Sequence, residues 1–261
     1  MMAYERILYE LVDSVASIKL NDPATLNAVT SRMGEELLDA LWRGEREARA
    51  ILLGSVGRGF CSGANLAEGG LDLDDPHRDI GLRLDGIYNP IVYQMRASEV
   101  PVVTAVRGAA AGVGCGIALA GDMIVAGEGA AFIMAFRNVG LASDGGASYF
   151  LTRAIGRVRA MEMMLLGKKL PAASALEWGL INRVVGDEDV DDAGMELAKQ
   201  LADGPRSLGI IKRLAWASLD ASFETALSNE RVAQREAGRT EDFIEGVVAF
   251  REKRPSTFKG R

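Results

Sequence analysis

Histidine is almost absent from this chain: the one present, His77, lies in an acidic, proline-containing stretch (residues 72–78, DLDDPHR) that reads as an exposed loop, so it is expected to be solvated rather than catalytic. Cysteine is nearly as scarce. Cys61 and Cys115 are the only two, and no His or Cys stands at metal-ligand spacing, which removes a motif-defined metal centre and leaves both thiols as small buried apolar residues. No apolar run is long enough to cross a bilayer and no signal-peptide pattern is present; with so little cysteine, a cytosolic (cytoplasmic) protein is expected, without a membrane partner. Positive charge is in deficit, 30 Lys and Arg against 36 Asp and Glu for a net −6, which argues against a nucleic-acid surface or an anionic membrane as the main partner. A GxxxxGK[ST] phosphate loop and a GxGxxG turn after a strand are both missing, so nucleotide-hydrolysing and Rossmann functions have no support.

What is present is an ordinary globular composition. At 261 residues, 48% hydrophobic and 25% charged, the chain can bury one large core plus a small appendage. Residues 6–12 and 15–20 read as paired strands joined at Asp13-Ser14, and residues 31–49 as an amphipathic helix. Residues 50–56 and 101–107 read as fully buried strands, and 122–126 and 130–134 as short ones. Residues 78–98 are expected to be helical apart from Pro90, and helices to dominate from Gly145 onward. The last helices are expected at 195–201, 207–219, 223–235 and 242–250, with Gly204-Pro205 separating the first pair. Repeated strand, turn and helix imply a stacked α/β core over residues 1–192, followed by a helical region over 193–261.

Two glycine-rich turns carry the chemical signal. Residues 57–66 (GRGFCSGANL) follow the first buried strand, and residues 108–116 (GAAAGVGCG) follow the second and lead into an apolar helical stretch. Small residues there let a ligand approach the backbone and leave N–H groups exposed at a helix start. Two such turns can aim two amides at one oxygen, an oxyanion hole for a thioester enolate, each donor being worth about 100 to 1,000-fold in rate. The same glycines also suit plain helix-on-strand packing. Asp144, in residues 140–148 (GLASDGGAS), supplies a carboxylate; an aspartate there serves as a base or as the N-cap of a helix starting at Gly145.

These turns, their order, and the segments LNA (26–28), GD (121–122), ALEWGL (175–180) and FREKR (250–254) resemble the enoyl-CoA hydratase/isomerase family, the crotonases, from about residue 5 to the end. The resemblance implies a ββα-superhelix α/β core whose C-terminal helices build a homotrimer or a dimer of trimers. It implies a coenzyme A thioester as substrate with no further cofactor, the Ala64 and Val113 N–H groups as oxyanion donors, and CoA or acyl contacts at Ala24, Ser62, Leu66, Gly112 and Phe136. Residues between His77 and Met95 are expected to line the acyl pocket with Phe136. The two glutamates of family hydratases fall on Gly116 and Phe136, neither of which moves a proton, so restoring a glutamate at Gly116 is expected to raise hydration. GLxxD at 140–144 resembles isomerases of the phenylacetate-degradation type, in which one carboxylate suffices to move a double bond. Ser148-Tyr149 and RAME (159–162) also resemble acyl-CoA dehalogenases that use the aspartate as a nucleophile, although their histidine and tryptophan fall on Asn89 and Phe136. A third alternative is a thioester-binding protein without catalysis. Candidates for the CoA phosphates are Arg58, Lys253, Arg254 and Lys259, and Phe258 with Lys259 is expected to reach a neighbour's CoA or to fray as a terminus.

Overall fold

The computed structural model describes residues 3–68 and 72–261. Strands β1 (Ile7–Val12) and β2 (Val15–Leu20) pair antiparallel across Asp13 and Ser14, both left-handed with φ of 49° and 63°, as a tight two-residue hairpin requires. Helix α1 (Ser31–Glu47) starts where the Thr30 hydroxyl accepts the Met33 N–H, and it buries Met33, Leu37, Ala40, Leu41 and Gly44 at helical spacing. Strand β3 (Ala50–Ser55) follows, buried throughout.

Of the segment expected to be helical over 78–98 apart from Pro90, residues 81–97 are helical without a break, Pro90 included. The short α2 (Gly81–Arg83) widens into a π-helical turn (Leu84–Tyr88) and continues as α3 (Asn89–Ala97). Pro90 is tolerated because it sits in the first turn of α3, where its missing N–H is least needed. Ile87 packs into the space left by Gly34 of α1, fixing this segment against the core.

The remaining core comprises β4 (Val102–Val106), β5 (Ala109–Ala111), α4 (Val113–Leu119), β6 (Met123–Gly127), β7 (Ala131–Ile133), α5 (Ala147–Ala154) and α6 (Gly156–Leu166). Two short strands among the later helices, β8 (Lys169–Pro171) and β9 (Arg183–Val185), flank α7 (Ala172–Glu177). Neither strand was expected from the sequence. Three residues are too few for a period-2 signal, and both form because an open edge accepts them: β8 beside β7, and β9 beside β6. The main sheet runs β1-β2-β3-β4-β6-β9, parallel from β2 onward, and a smaller sheet runs β5-β7-β8.

Alternation along the strands divides the core. Ala16, Ile18, Leu20, Ile51 and Leu53 join the α1 side, while Val15, Ala50, Leu52 and Val103 pack with Val190, Leu197, Ala198 and Ala202 of α8 (Val190–Ala202). Both faces of the sheet are therefore covered, as parallel strands demand. The 192/193 division falls inside α8; α9 (Ser207–Ser218), α10 (Phe223–Ala237) and α11 (Glu241–Glu252) form the helical tail.

Asp122 bolts that tail to the core. Its carboxylate accepts from the Val102 N–H (2.8 Å) and Trp216 Nε1 (3.0 Å) and pairs with the buried Lys212 (2.8 Å), which also donates to the Met95 carbonyl (2.6 Å). The extreme C-terminus is anchored rather than frayed. Asp242, 2% exposed, accepts the N–H groups of Arg206, Lys259 and Gly260 at 2.7–2.9 Å. Burial alone would raise its pKa, but these N–H donors prevail and hold it below the usual carboxylate range.

Candidate active site

The two glycine-rich turns lie against each other. Residues 61–64 run between two neighbours: Cys61 exchanges hydrogen bonds with β5 (Cys61 N–H to the Ala109 carbonyl, Ala111 N–H to the Cys61 carbonyl), and Gly63 accepts from the Val29 N–H at 2.7 Å. Gly63 has φ of 105°, and a Cβ there would stand 3.0 Å from the Ala111 carbonyl oxygen and 3.8 Å from the Gly112 Cα. Gly112 has φ of 54° at the start of α4. Only glycine permits both conformations and this approach.

The consequence is a pair of available donors. The Ala64 N–H has no acceptor among the described residues, while its neighbours Ser62 and Asn65 donate to the Leu26 and Val29 carbonyls. Val113 is the first residue of α4, where an amide has no intrahelical acceptor, and among the described residues it too has none. Both donors belong to adjoining turns, and the dipole of α4 adds positive potential at the second.

Gly145 carries the third component into place. A Cβ on it would meet Val113 Cγ2 at 3.0 Å, so the residue after Asp144 is pressed onto the start of α4. Asp144 is half-buried, its Oδ1 has no hydrogen-bond partner among the described residues, and desolvation pushes its pKa up to about 6. It does not cap a helix through its side chain. Gly145 and Gly146 are both left-handed (φ 57° and 73°), α5 therefore begins at Ala147 rather than at Gly145, and no side chain caps it.

The two positions where hydratases carry glutamate hold no acid. Phe136, in a 3₁₀ turn (Ala135–Val139), is buried with its ring edge 3.9 Å from where a Gly112 Cβ would lie. Gly116 is closed by the backbone of Gly145: an added Cβ would overlap the Gly145 carbonyl oxygen and lie 3.1 Å from its Cα. A glutamate at 116 therefore has no room, and the expected gain in hydration is withdrawn. Cys61 fills the groove left by Gly114, and burial raises the pKa of both Cys61 and Cys115 to about 12, so neither thiol ionises to act as a nucleophile. His77 is exposed, as expected.

Ala24, Ser62 and Leu66 are all exposed. Ser62 Oγ donates to the Thr25 carbonyl at 2.9 Å, joining the 62–66 segment to the Pro23–Thr25 turn, and Leu66 is 61% exposed. Of the basic candidates, Arg254 is engaged by Glu245 and Glu252 at 2.7 Å each, which removes it as a free phosphate ligand. Asn89 donates to Asp85 at 3.3 Å.

Three residues escaped notice in the sequence. Tyr88 ends the π-helical turn, is 2% exposed, and has its pKa raised by burial, with the charges of Asp144 and Glu68 adding to that rise and Arg83 opposing it. Glu68 accepts the Ser31 N–H at 3.0 Å and pairs with Arg83 at 3.5 Å, which ties the loop after the first turn to α1 and α2. Their sequence signal was nil, because a Tyr, an Arg and a Glu in amphipathic surroundings look like ordinary helix residues. Among the described residues no group of three potential metal ligands comes together, and no helix is long and apolar enough to cross a membrane.

Known proteins resemble this chain over nearly its whole length. The family profile described as enoyl-CoA hydratase/isomerase matches residues 10–261. The 1,2-epoxyphenylacetyl-CoA isomerase of Escherichia coli K12 is 40% identical over 260 residues, 98% of this chain and 99% of that one. A Rhodobacter capsulatus protein named probable enoyl-CoA hydratase is 39% identical over 265 residues, all of both chains. The crystal structure of an enoyl-CoA hydratase from Bacillus anthracis superposes with a TM-score of 0.91 at 26% identity, covering 98% of this chain and 100% of that one.

Proposed function

Because the chain belongs to the enoyl-CoA hydratase/isomerase family, we propose that it moves a double bond within an enoyl-CoA by a 1,3 proton shift, with Asp144 as the one base. The observation that carries this reading is the conjunction of two N–H groups, at Ala64 and Val113, with one desolvated carboxylate, all three without a hydrogen-bond partner among the described residues. The thioester oxygen accepts both N–H groups. Asp144 takes a proton from C2 of a 3-enoyl thioester, the electron pair moves onto the carbonyl oxygen as a dienolate, and the same carboxyl returns the proton to C4, leaving the 2-enoyl thioester. No atom is gained or lost, and proton transfer of this kind needs no redox cofactor.

Hydration would need a second group to activate water, and positions 116 and 136 supply none. Aspartyl-ester hydrolysis would need a water-activating base where Asn89 instead bonds Asp85. Ala24, Ser62 and Leu66 would hold the CoA moiety, and Gly112, Phe136 and the 77–95 segment the acyl group. The exposed Phe243, Ile244 and Phe250 of α11 suit burial between copies in a homotrimer or dimer of trimers, in a cytoplasmic setting that suits two free thiols.

The test is label transfer. Incubated with a 3-enoyl-CoA in deuterated water, the enzyme is expected to give the 2-enoyl isomer with deuterium confined to the proton-shift positions. Water addition as the main product would return the hydratase reading. A second expectation concerns pH: a base with a pKa of about 6 makes kcat/KM fall about tenfold per unit below pH 6 and level off above it. A rate independent of pH between 5 and 7 would contradict it.

A further inference from the structure

Asp144 owes its position to its neighbours along the chain, since its Oδ1 makes no hydrogen bond among the described residues. Its carbonyl accepts the Ala147 N–H at 3.1 Å, the Gly146 carbonyl accepts the Phe150 N–H at 3.0 Å, and two left-handed glycines join it to α5. The base therefore stands where α5 puts it. One face of α5 is gripped from the helical tail. Tyr149 and Arg153, one turn apart, both donate to Asp220 in the turn after α9: Tyr149 Oη to Oδ2 at 2.7 Å and Arg153 Nη2 to Oδ1 at 2.7 Å. Arg96 of α3 adds a third donor at 3.4 Å. The guanidinium of Arg153 lies 3.6 Å from the Tyr149 ring centroid and that of Arg96 5.0 Å from it, so the ring is in cation–π reach of two cations that share one carboxylate. Phe150 meets Trp216 edge-on at 5.6 Å, and Trp216 is fixed by Asp122, as described for α9.

We propose that Asp220 is a positioning residue for Asp144, acting through Tyr149 and Arg153 of α5, so that the helical tail sets where the base stands. This rests on Asp144 being the base. Asp220 is 47% exposed, and exposed ion pairs contribute little to global stability, so the clamp acts on local geometry. A displacement near 1 Å at a reacting group costs on the order of 100-fold in rate.

The experiment compares Asp220→Ala, Asp220→Asn and Asp144→Asn with the wild type in turnover and in amide hydrogen exchange. Asp220→Ala is expected to lower kcat about tenfold with KM within about twofold, to speed exchange of the Ala147 and Phe150 amides about tenfold, and to leave the α1 amides unchanged. Asp220→Asn, which keeps an acceptor for Tyr149, is expected to recover most of both. Unchanged kcat in Asp220→Ala, with or without faster exchange, would overturn the proposal, as would a fall in kcat accompanied by general loss of protection. The two readings separate cleanly: turnover surviving in Asp144→Asn rejects the base itself, whereas a dead Asp144→Asn beside a fully active Asp220→Ala rejects only the clamp.

Discussion

Asp144→Asn is expected to lower turnover by about 10²–10⁴-fold while leaving affinity for a CoA thioester nearly unchanged and making the protein more stable at neutral pH. On the proposed mechanism the loss follows from removing the group that would carry the proton, since the amide neither accepts it nor returns it. On the proposed reading affinity is preserved because the thioester oxygen would be held by main-chain N–H groups at 64 and 113, which the substitution does not touch. The gain in stability follows from the sign of the pKa shift. Asp144 is raised from 3.8 to about 6 in the folded protein, so between those values the native state binds more protons than the unfolded chain, and stability falls as pH rises through that window. Above pH 6 the charged, desolvated carboxylate is a standing cost. With screening allowed for at a half-buried site, relieving it is worth about 1 kcal/mol. Turnover and thermal denaturation of the two proteins at pH 7.5 check both halves. Undiminished turnover would place the base elsewhere, and a less stable variant would mean that the carboxylate serves the fold after all.

Gly116→Glu is expected to fail in the opposite manner, losing activity and stability together and gaining no hydration. The new Cβ would overlap the Gly145 carbonyl oxygen, and this neighbour is main chain, which cannot rotate away as a side chain would. Either α4 tilts or the 144–146 loop lifts, and both movements separate Asp144 from the Val113 N–H. Overpacking of this kind costs typically 1–3 kcal/mol, and the displaced base loses more in rate than the fold loses in stability. Hydratase assays with a 2-enoyl-CoA and a melting curve decide the matter; a stable, water-adding variant would show that the loop yields without harm.

Much of the fold was readable because its signals are local and strong. Apolar runs at 50–56 and 101–107, a tight turn at Asp13-Ser14, and the helical spacing of Met33, Leu37, Ala40, Leu41 and Gly44 each fix an element without help from distant contacts. The short strands β8 and β9 were not readable, since they exist only where an open sheet edge receives them. Pro90 misled because proline interrupts helix interiors, whereas here it sits in the first turn beyond a π-helical turn. At the site, Gly63, Gly112 and Asp144 were legible from residue type and order. Closure of Gly116 by Gly145 was not, because residues 29 positions apart meet only through the packing of the 144–146 loop on α4. The Tyr149–Asp220–Arg153 cluster was invisible for the same reason: no spacing rule relates residues some 70 positions apart, and each of them alone looks like a solvated surface residue.

The two donors at 64 and 113 are main-chain groups, which changes how substitutions in this chain should be weighed. On the proposed reading the residues at 64 and 113 are interchangeable with others of similar bulk, since the peptide unit would do the work whatever side chain it carries. Gly63, Gly112 and Gly145 supply neither of these two hydrogen bonds, yet they allow no replacement without moving the peptides that would. On that reading a lineage of this chain could drift at positions 64 and 113 while its hydrogen-only positions stand still, and a shift in which acyl group it accepts could arise around an unchanged pair of donors.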